Sequence, residues 1–152
     1  MGFHARLREL GYELPGVAKP LASYVPAVRV GNQVWTSGQL PFVAGALPAT
    51  GKVGAEVTPE RAQELARTCA VNAVAAVHEL LGDLDRVAQV VKVVGFVASD
   101  PAFTGQPGVV NGASDVLAEI FGEVGRHARS AVGVAVLPMD APVEVEITVR
   151  VR

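Results

Sequence analysis

Valine alternates with other residues along two stretches near the C-terminus, and this period of two is typical of β-strands. The first stretch runs from Val132 to Val136 and the second from Val143 to Val151. The residues between them, 137–142, contain proline and predict a turn. The pattern therefore predicts an antiparallel hairpin in which Val136 pairs with Val143.

The two faces of this predicted hairpin differ in chemistry, because side chains change sides at every residue of a strand. The valines share one face, which we expect to pack on helices. Arg129 and Glu144 lie on the other face, which we expect to meet solvent or another subunit. Ala131 and Gly133 share the face of Arg129, and such small residues are typical of a strand that a ligand or another backbone approaches closely.

Apolar residues at steps of three and four predict two amphipathic helices. The first begins at Thr58, which suits the N-cap and precedes a proline, and it runs to Leu81, where a glycine follows. The second begins around Val109 and ends near Gly122 or Gly125.

The remaining patterns complete a β-β-α-β-α-β-β order. Residues 24–30 and 33–37 predict a hairpin, and the valine-rich residues 87–98 predict a buried central strand. This order indicates an α+β fold, in which two helices cover one face of a mainly antiparallel sheet. Residues 1–22 are interpreted as an N-terminal arm, and residues 23–152 as a single domain.

Composition narrows the class of protein. The chain has 152 residues, 50% of them hydrophobic, and its 13 basic and 15 acidic residues give a net charge of −2, which disfavours nucleic acid as a partner. No uninterrupted apolar stretch predicts a membrane span, and the single Cys69, which lies in the apolar stripe of the first helix, is interpreted as a core residue. We expect a cytoplasmic protein that does not contact a membrane. Three scattered histidines predict no metal site.

Three motifs occur in an order that resembles the Rid (YjgF-type) family of enamine/imine deaminases. They are VWTSGQLP at 34–41, VNGASDVLAEIFGE at 110–123, and ARSAVGVAVLP at 128–138 with PVEVEI at 142–147. The resemblance covers roughly residues 24–152. It implies a chorismate-mutase-like fold, assembled as a homotrimer with sites between subunits. The implied reaction hydrolyses small reactive 2-imino or 2-enamino acids, such as 2-aminoacrylate, to 2-oxo acids and ammonia. It needs no cofactor, because an imine is already electrophilic.

The resemblance assigns the two principal site residues. Arg129 matches the arginine of the family's ARS motif and would hold the substrate carboxylate, to which a guanidinium fork is complementary. Glu144 matches the first glutamate of VEVEI and would position or activate the hydrolytic water. From the residues alone, a subunit salt bridge or a solvated strand face is the more common role of such an arginine. Glu144 could equally be an ordinary polar residue of a half-exposed strand.

Four further residues match family positions that border the ligand. Ser37 and Gly38 could instead form a turn at the end of a strand, Tyr24 could be a core aromatic residue, and Asn111 could cap a helix. His127 lies two residues before Arg129 and so shares its strand face. We interpret it as a residue at the start of the strand, with a place at the border of the pocket as the alternative.

The predicted hairpin register has a consequence for Arg129 and Glu144. It separates them by six positions, or roughly 20 Å at about 3.3 Å per residue, within one chain. We therefore expect Arg129 of one chain to meet Glu144 of a neighbouring chain. Ala131 stands where many family members have cysteine, and Gly133 stands where a charged residue is common. Together with the arm and the long 41–58 loop, these differences indicate a divergent branch.

Two alternative functions follow from the same residues. One is a non-catalytic module that binds 2-oxo acids or similar small carboxylates, for which Arg129 would matter and Glu144 would not. The other, taken from older family names, is a ribonuclease or translation inhibitor. The slight acidic excess argues against the second alternative.

Overall fold

The computed structural model describes residues 2–17 and 23–152. Within these residues it contains three α-helices and five β-strands in an α+β arrangement. In chain order these elements are α1 (Phe3–Glu9), β1 (Ala27–Val30), β2 (Gln33–Thr36), α2 (Pro59–Leu81), β3 (Val87–Ala98), α3 (Gln106–Phe121), β4 (Ala128–Val134) and β5 (Val143–Val151).

The strands form one mainly antiparallel sheet in the order β1-β2-β5-β3-β4. The hairpin of β1 and β2 agrees with the sequence patterns, and so does the interior position of β3, which has a strand on each side. The predicted C-terminal hairpin is wrong. β5 lies between β2 and β3, and β4 pairs with β3 in parallel at the edge of the sheet. The connection from β3 to β4 runs through α3, which is the crossover that a parallel pair requires.

Burial explains why β5 takes the central position. Its residues from Val143 to Val151 place five apolar side chains at alternate positions, all buried against the helices. One face of β5 is thus buried along its whole length, and the strand has β2 on one side and β3 on the other. In β4, by contrast, Val132 is 43% exposed. The expectation that valines face the helices is therefore right for β5 and wrong for β4.

The close approach of α3 to the sheet explains why β4 directs its small residues, rather than its valines, toward the helices. Arg129, Ala131 and Gly133 pair with the inward-facing residues of β3 and so point toward α3. A Cβ on Gly133 would lie 2.9 Å from Gln106 Nε2 of α3, and one on Gly95 of β3 would overlap the side chain of Val110. The space between β4 and α3 at Gly133 thus admits only a small side chain, and the valines of β4 face away from α3.

The helix boundaries follow from local chemistry. Thr58 accepts a hydrogen bond of 3.1 Å from the Arg61 N–H, and α2 ends at Gly82 with a φ of 76°, as the sequence predicts. Helix α3 begins at Gln106, earlier than predicted, so Asn111 lies in its second turn and the alternative of a capping role is wrong. Cys69 is fully buried, and burial raises the pKa of its thiol well above the usual range, which agrees with a core residue.

The N-terminal arm adds a third helix outside the first two. The Phe3 ring lies 4.8 Å from the Phe121 ring, centroid to centroid, in an edge-to-face arrangement. Arg67 forms an ion pair with Glu119 and stacks over the Tyr12 ring at 5.3 Å. The described part of the arm is therefore anchored on α2 and α3, whereas residues 1 and 18–22 of the predicted arm lie outside the described residues.

The side of the sheet opposite the helices carries several exposed apolar residues, and we call it the helix-free face. Its large exposed residues include Val28 and Trp35 of the first hairpin and Val132 of β4. Glu144 and Glu146 of β5 lie between them. Apolar area of this kind is typical of surfaces that another protein chain covers. In the described part of the chain, no helix is long and apolar enough to cross a membrane.

Candidate active site

Arg129 lies on the edge strand β4, and its guanidinium reaches the first turns of α3. Nη1 donates to Asn111 Oδ1 at 2.8 Å and to Ser114 Oγ at 3.2 Å, and Nη2 donates to the Pro107 carbonyl at 3.3 Å. These three acceptors are spaced by four and three residues and so share one face of α3. The prediction that Arg129 points away from the helices is therefore wrong, whereas its grouping with Asn111 is found in the structure.

The hydrogen bonds of Arg129 leave part of its guanidinium available. A guanidinium has five N–H groups, and three of them have acceptors among the described residues. The remaining two are Nε–H and one N–H of Nη2. All three acceptors are neutral, and within residues 2–17 and 23–152 no carboxylate forms an ion pair with Arg129 at 4.0 Å or less. The positive charge of Arg129 is thus uncompensated within the described chain, and its two N–H groups match a carboxylate.

His127 and Ser114 extend the hydrogen bonds around Arg129, and we call Arg129, Asn111, Ser114 and His127 the Arg129 cluster. His127 Nε2 lies 2.8 Å from Ser114 Oγ, and His127 Nδ1 lies 2.7 Å from the Gly125 carbonyl. His127 therefore borders the Arg129 cluster, which was the alternative in the sequence interpretation. Ser114 was not predicted. The available signal was its position three residues after Asn111, which places the two side chains on the same face of a helix.

Glu144 lies on the helix-free face, where it contacts the loop that follows β2. A Cβ on Gly38 would overlap Glu144 Oε1, so only glycine leaves room for the carboxylate in this position. Burial raises the pKa of the Glu144 carboxyl, and the neighbouring charge of Glu146 raises it further. A raised pKa is typical of carboxyl groups that exchange protons near neutral pH.

Ser37 and Tyr24 lie at the ends of the first hairpin. The Ser37 hydroxyl donates to the Val25 carbonyl at 2.6 Å, which ties the end of β2 to the residues before β1. Its oxygen can still accept a hydrogen bond. Tyr24 is 47% exposed, so the alternative of a core aromatic residue is wrong. The structure thus brings Ser37 and Gly38 together beside Glu144, and it leaves Tyr24 at the surface near the same loop.

Arg129 and Glu144 do not line a common cleft within one chain. Arg129 is level with Val93 of β3, and Glu144 is level with Phe96, three positions further along. With two strand spacings between β4 and β5, their Cα atoms lie roughly 14 Å apart. Their side chains also project from opposite faces of the sheet. The predicted separation of roughly 20 Å came from the wrong pairing, but the conclusion that one chain does not join the two groups stands.

The described residues contain no group of three or more His, Cys, Asp or Glu side chains that could hold a metal ion. The described structure places the Arg129 guanidinium on one face of the sheet and the half-buried Glu144 carboxylate on the other. The first suits an anion, and the second suits proton transfer to or from water.

Comparison with known proteins identifies the family. A family model described as "YjgF/chorismate_mutase-like, putative endoribonuclease" matches residues 4–149. Protein TCP17 of Trypanosoma cruzi is 50% identical over 151 residues, which cover 97% of this chain and 93% of that protein. The crystal structure of Atu1372 from Agrobacterium tumefaciens is 46% identical, with a TM-score of 0.92, and the match covers 99% of this chain and 92% of that one.

A more distant solved structure shares the architecture. TdcF of E. coli, solved with bound serine, is 27% identical with a TM-score of 0.56, and the match covers 91% of this chain and 92% of that one. The fold is thus the chorismate-mutase-like fold that the motifs implied. The family model and the 50% identical relative each span most of the sequence. The chain therefore belongs to the YjgF/Rid family.

Proposed function

We propose that this protein hydrolyses small, reactive 2-imino or 2-enamino acids to 2-oxo acids and ammonia, at sites shared between the subunits of a homotrimer. The observation that carries the proposal is the state of Arg129. Its guanidinium is held by neutral acceptors of α3, retains two N–H groups, and has no carboxylate partner among the described residues. Such a group is prepared to receive the carboxylate of a small substrate. The E. coli relative TdcF, with bound serine, shows that a similar fold accommodates a small amino acid.

The separation of Arg129 from Glu144 within one chain supports the proposal that each site is shared between two subunits. Arg129 lies on an edge strand, and Glu144 lies on a face that carries exposed apolar residues. A neighbouring copy whose helix-free face meets β4 would bring its own Glu144 toward Arg129, and the same contact would cover the apolar surface. Repeating this head-to-tail contact around a threefold axis gives three equivalent sites.

The reaction at this site requires only water and the two charged groups. Arg129 binds the substrate carboxylate, which places the imine carbon C2 beside the Glu144 of the neighbouring copy. Water adds through its oxygen to C2 of the protonated imine, and one of its protons passes to Glu144. The tetrahedral amino alcohol takes this proton on its nitrogen. The C2–N bond then breaks, and the hydroxyl proton leaves with the nitrogen as ammonium. An enamine first takes a proton from solvent at C3 to reach the same imine.

The direct test is to measure ammonia release in the presence of a pyridoxal-phosphate-dependent dehydratase that generates 2-aminoacrylate in situ. We expect the protein to accelerate ammonia release above the rate of spontaneous hydrolysis. The control omits the dehydratase substrate, so that ammonia from other sources is subtracted. A folded oligomer that leaves the spontaneous rate unchanged contradicts the deaminase proposal.

A shared site makes a prediction for mixed oligomers. Consider trimers assembled at random from equal amounts of Arg129→Ala and Glu144→Gln chains. At each site one chain supplies position 129 and its neighbour supplies position 144, so each position is intact with a probability of about one half. About a quarter of the sites then contain both groups. We expect co-refolded mixtures to recover about that fraction of wild-type ammonia release, whereas each variant refolded alone stays inactive. Mixed trimers, verified by differently tagged chains, that remain inactive would contradict the shared site.

Replacing Gly38 with alanine is expected to lower the rate of imine hydrolysis by about tenfold or more while changing stability little. The added methyl group would displace the Glu144 carboxylate, which is the mobile end of a side chain, rather than the backbone. The measurement compares kcat and the midpoint of urea unfolding for the variant and the wild type. Gly16→Ala is the matched control, because a Cβ at that position meets nothing within 4 Å.

Non-catalytic binding of small carboxylates is the second candidate function. It is favoured by the same Arg129 geometry, together with the position of Glu144 on the opposite face of the sheet within one chain. Isothermal titration with pyruvate, combined with the ammonia assay, separates the two candidates, since a binding module would bind the 2-oxo acid without accelerating imine hydrolysis.

The family description also names endoribonuclease activity. A net charge of −2 gives the chain no basic excess with which to attract a phosphate backbone. RNA binding that weakens steeply as salt increases would support the ribonuclease interpretation, and its absence would support the deaminase.

A further inference from the structure

A chain of hydrogen bonds runs from Arg129 into the interior of the β4–α3 unit. The Arg129 Nη1 donates to Ser114 Oγ at 3.2 Å, Ser114 Oγ lies 2.8 Å from His127 Nε2, and His127 Nδ1 lies 2.7 Å from the Gly125 carbonyl. Packing fixes the far end of this chain of hydrogen bonds, the Gly125 carbonyl. Gly125 is buried, and a Cβ there would lie 2.6 Å from the Leu117 carbonyl, so the Gly125 backbone is packed against α3.

The chemistry of the two ends determines the direction of each hydrogen bond. The Gly125 carbonyl can only accept, so His127 carries a proton on Nδ1. Arg129 can only donate, so Ser114 Oγ accepts from it. With a neutral imidazole, the Ser114 hydroxyl must then donate to His127 Nε2. One tautomer of His127 and one orientation of the Ser114 hydroxyl satisfy every contact in the chain.

We propose that Ser114 and His127 are positioning residues that hold the Arg129 guanidinium in the orientation that receives a carboxylate. This assignment rests on the proposed function of the Arg129 site. Ser114 and His127 act through Arg129 and are not themselves in contact with the substrate. Their hydrogen bonds occupy one N–H of Nη1, whereas Nε–H and one N–H of Nη2 stay available.

The location of Ser114 supports a positioning role. Serine within a helix is neutral to unfavourable for helix stability, and its hydroxyl commonly bonds to the backbone of the preceding turn. In α3 the Ser114 hydroxyl instead contacts two side chains of the β4 region, His127 and Arg129. The other side-chain acceptor for Arg129 is Asn111, which lies in an exposed part of α3. The Ser114–His127 pair is thus the connection that ties the guanidinium to a buried backbone group.

The first test measures carboxylate affinity. Isothermal titration with pyruvate would compare the wild-type oligomer with Ser114→Ala and His127→Phe, which remove the hydroxyl and the ring nitrogens. We expect each of these variants to raise Kd by about tenfold. Ser114→Thr and His127→Gln retain groups that can donate and accept, and we expect them to restore most of the affinity. Unchanged Kd values in Ser114→Ala and His127→Phe would overturn the assignment, and so would equal losses in the conservative variants.

The kinetic signature separates positioning from general damage to the fold. Arg129 would hold the carboxylate equally in the ground state and the transition state, so weaker positioning should raise KM and leave kcat within about twofold. A parallel fall in kcat without a change in KM would overturn the assignment. Far-ultraviolet circular dichroism and unfolding midpoints show whether each variant keeps its structure.

A spectroscopic measurement tests the hydrogen-bond chain without reference to activity. The ¹⁵N chemical shifts of the His127 ring, recorded above neutral pH, should show a protonated Nδ1 and an unprotonated Nε2. The opposite tautomer would overturn the assignment. Wild-type protein that does not bind pyruvate would also overturn it. A wild type that binds pyruvate but does not hydrolyse imines would remove only the deaminase proposal and leave the positioning role supported by the binding data.

Discussion

Replacement of Arg129 by alanine is expected to lower kcat/KM for imine hydrolysis by about 100-fold or more. The two N–H groups that have no described acceptor would donate to the substrate carboxylate, and each hydrogen bond to a charged group contributes about 1.5 kcal/mol or more. Losing both removes at least about 3 kcal/mol, which corresponds to roughly a factor of 100. The measurement is ammonia release at several fluxes of 2-aminoacrylate, together with pyruvate affinity by titration.

Two further variants sharpen this prediction. Arg129→Lys keeps the positive charge but loses the planar fork, so we expect it to recover only a small part of the lost affinity. Arg61→Ala removes an arginine whose described ion pair, with Glu64, is exposed on α2, and we expect wild-type kinetics from it. An Arg129→Ala protein that binds pyruvate as tightly as the wild type would remove Arg129 from the site.

Replacement of Glu144 by glutamine is expected to lower kcat for imine hydrolysis by about 100-fold to 10,000-fold, the usual contribution of a general acid or base. Glutamine has nearly the same shape, so the carboxylate site at Arg129 should bind pyruvate with unchanged affinity. Glu146→Gln is the matched control, because it removes the next carboxylate on the same face of β5. Equal losses in the two variants would show that the general negative charge of this face matters, rather than Glu144 itself.

The raised pKa of Glu144 gives this prediction a pH dependence. Glu144 must be ionised to take a proton from water, so the wild-type rate should fall as pH decreases through a value above the ordinary 4.5. A carboxyl group whose pKa is raised by folding favours the folded state when protonated, and this contribution is lost as pH rises through the folded pKa. Glu144→Gln should therefore be at least as stable as the wild type at neutral pH. A large loss of stability would contradict this description of the carboxyl group.

The sequence patterns predicted the elements of the fold better than their pairing. The Thr58 N-cap, the stripe of α2 and the buried valines of β3 are local signals, and the structure contains each of them. The pairing of β4 with β3 joins two strands that are separated in the sequence by α3, and no local pattern records such a long-range contact. A short turn after β4 was interpreted as a hairpin, but residues 137–142 instead carry the chain across to the far side of β3.

Family motifs named the candidate site residues, whereas packing that no motif records decided their surroundings. Arg129, Asn111, Gly38 and Glu144 came from the family motifs, and the structure groups them into two clusters. The predicted face of Arg129 was wrong. Alternation shows which residues of a strand share a side, but it does not show which side packs on the helices. In β4 the parallel pairing with β3 decides that Arg129 faces α3. Ser114 joins the cluster only because α3 docks on β4.

Cys69 is the single cysteine of the chain, and its burial has a consequence for the proposed reaction. A reactive imine is an electrophile, and an exposed thiolate in its path would add to it. The Cys69 thiol is fully buried with a raised pKa, so it offers neither access nor an appreciable thiolate fraction. Ala131, on the strand face of Arg129, carries no sulfur. If the proposed imine hydrolysis takes place, neither Cys69 nor the residue beside Arg129 therefore offers a thiolate to the electrophilic substrate.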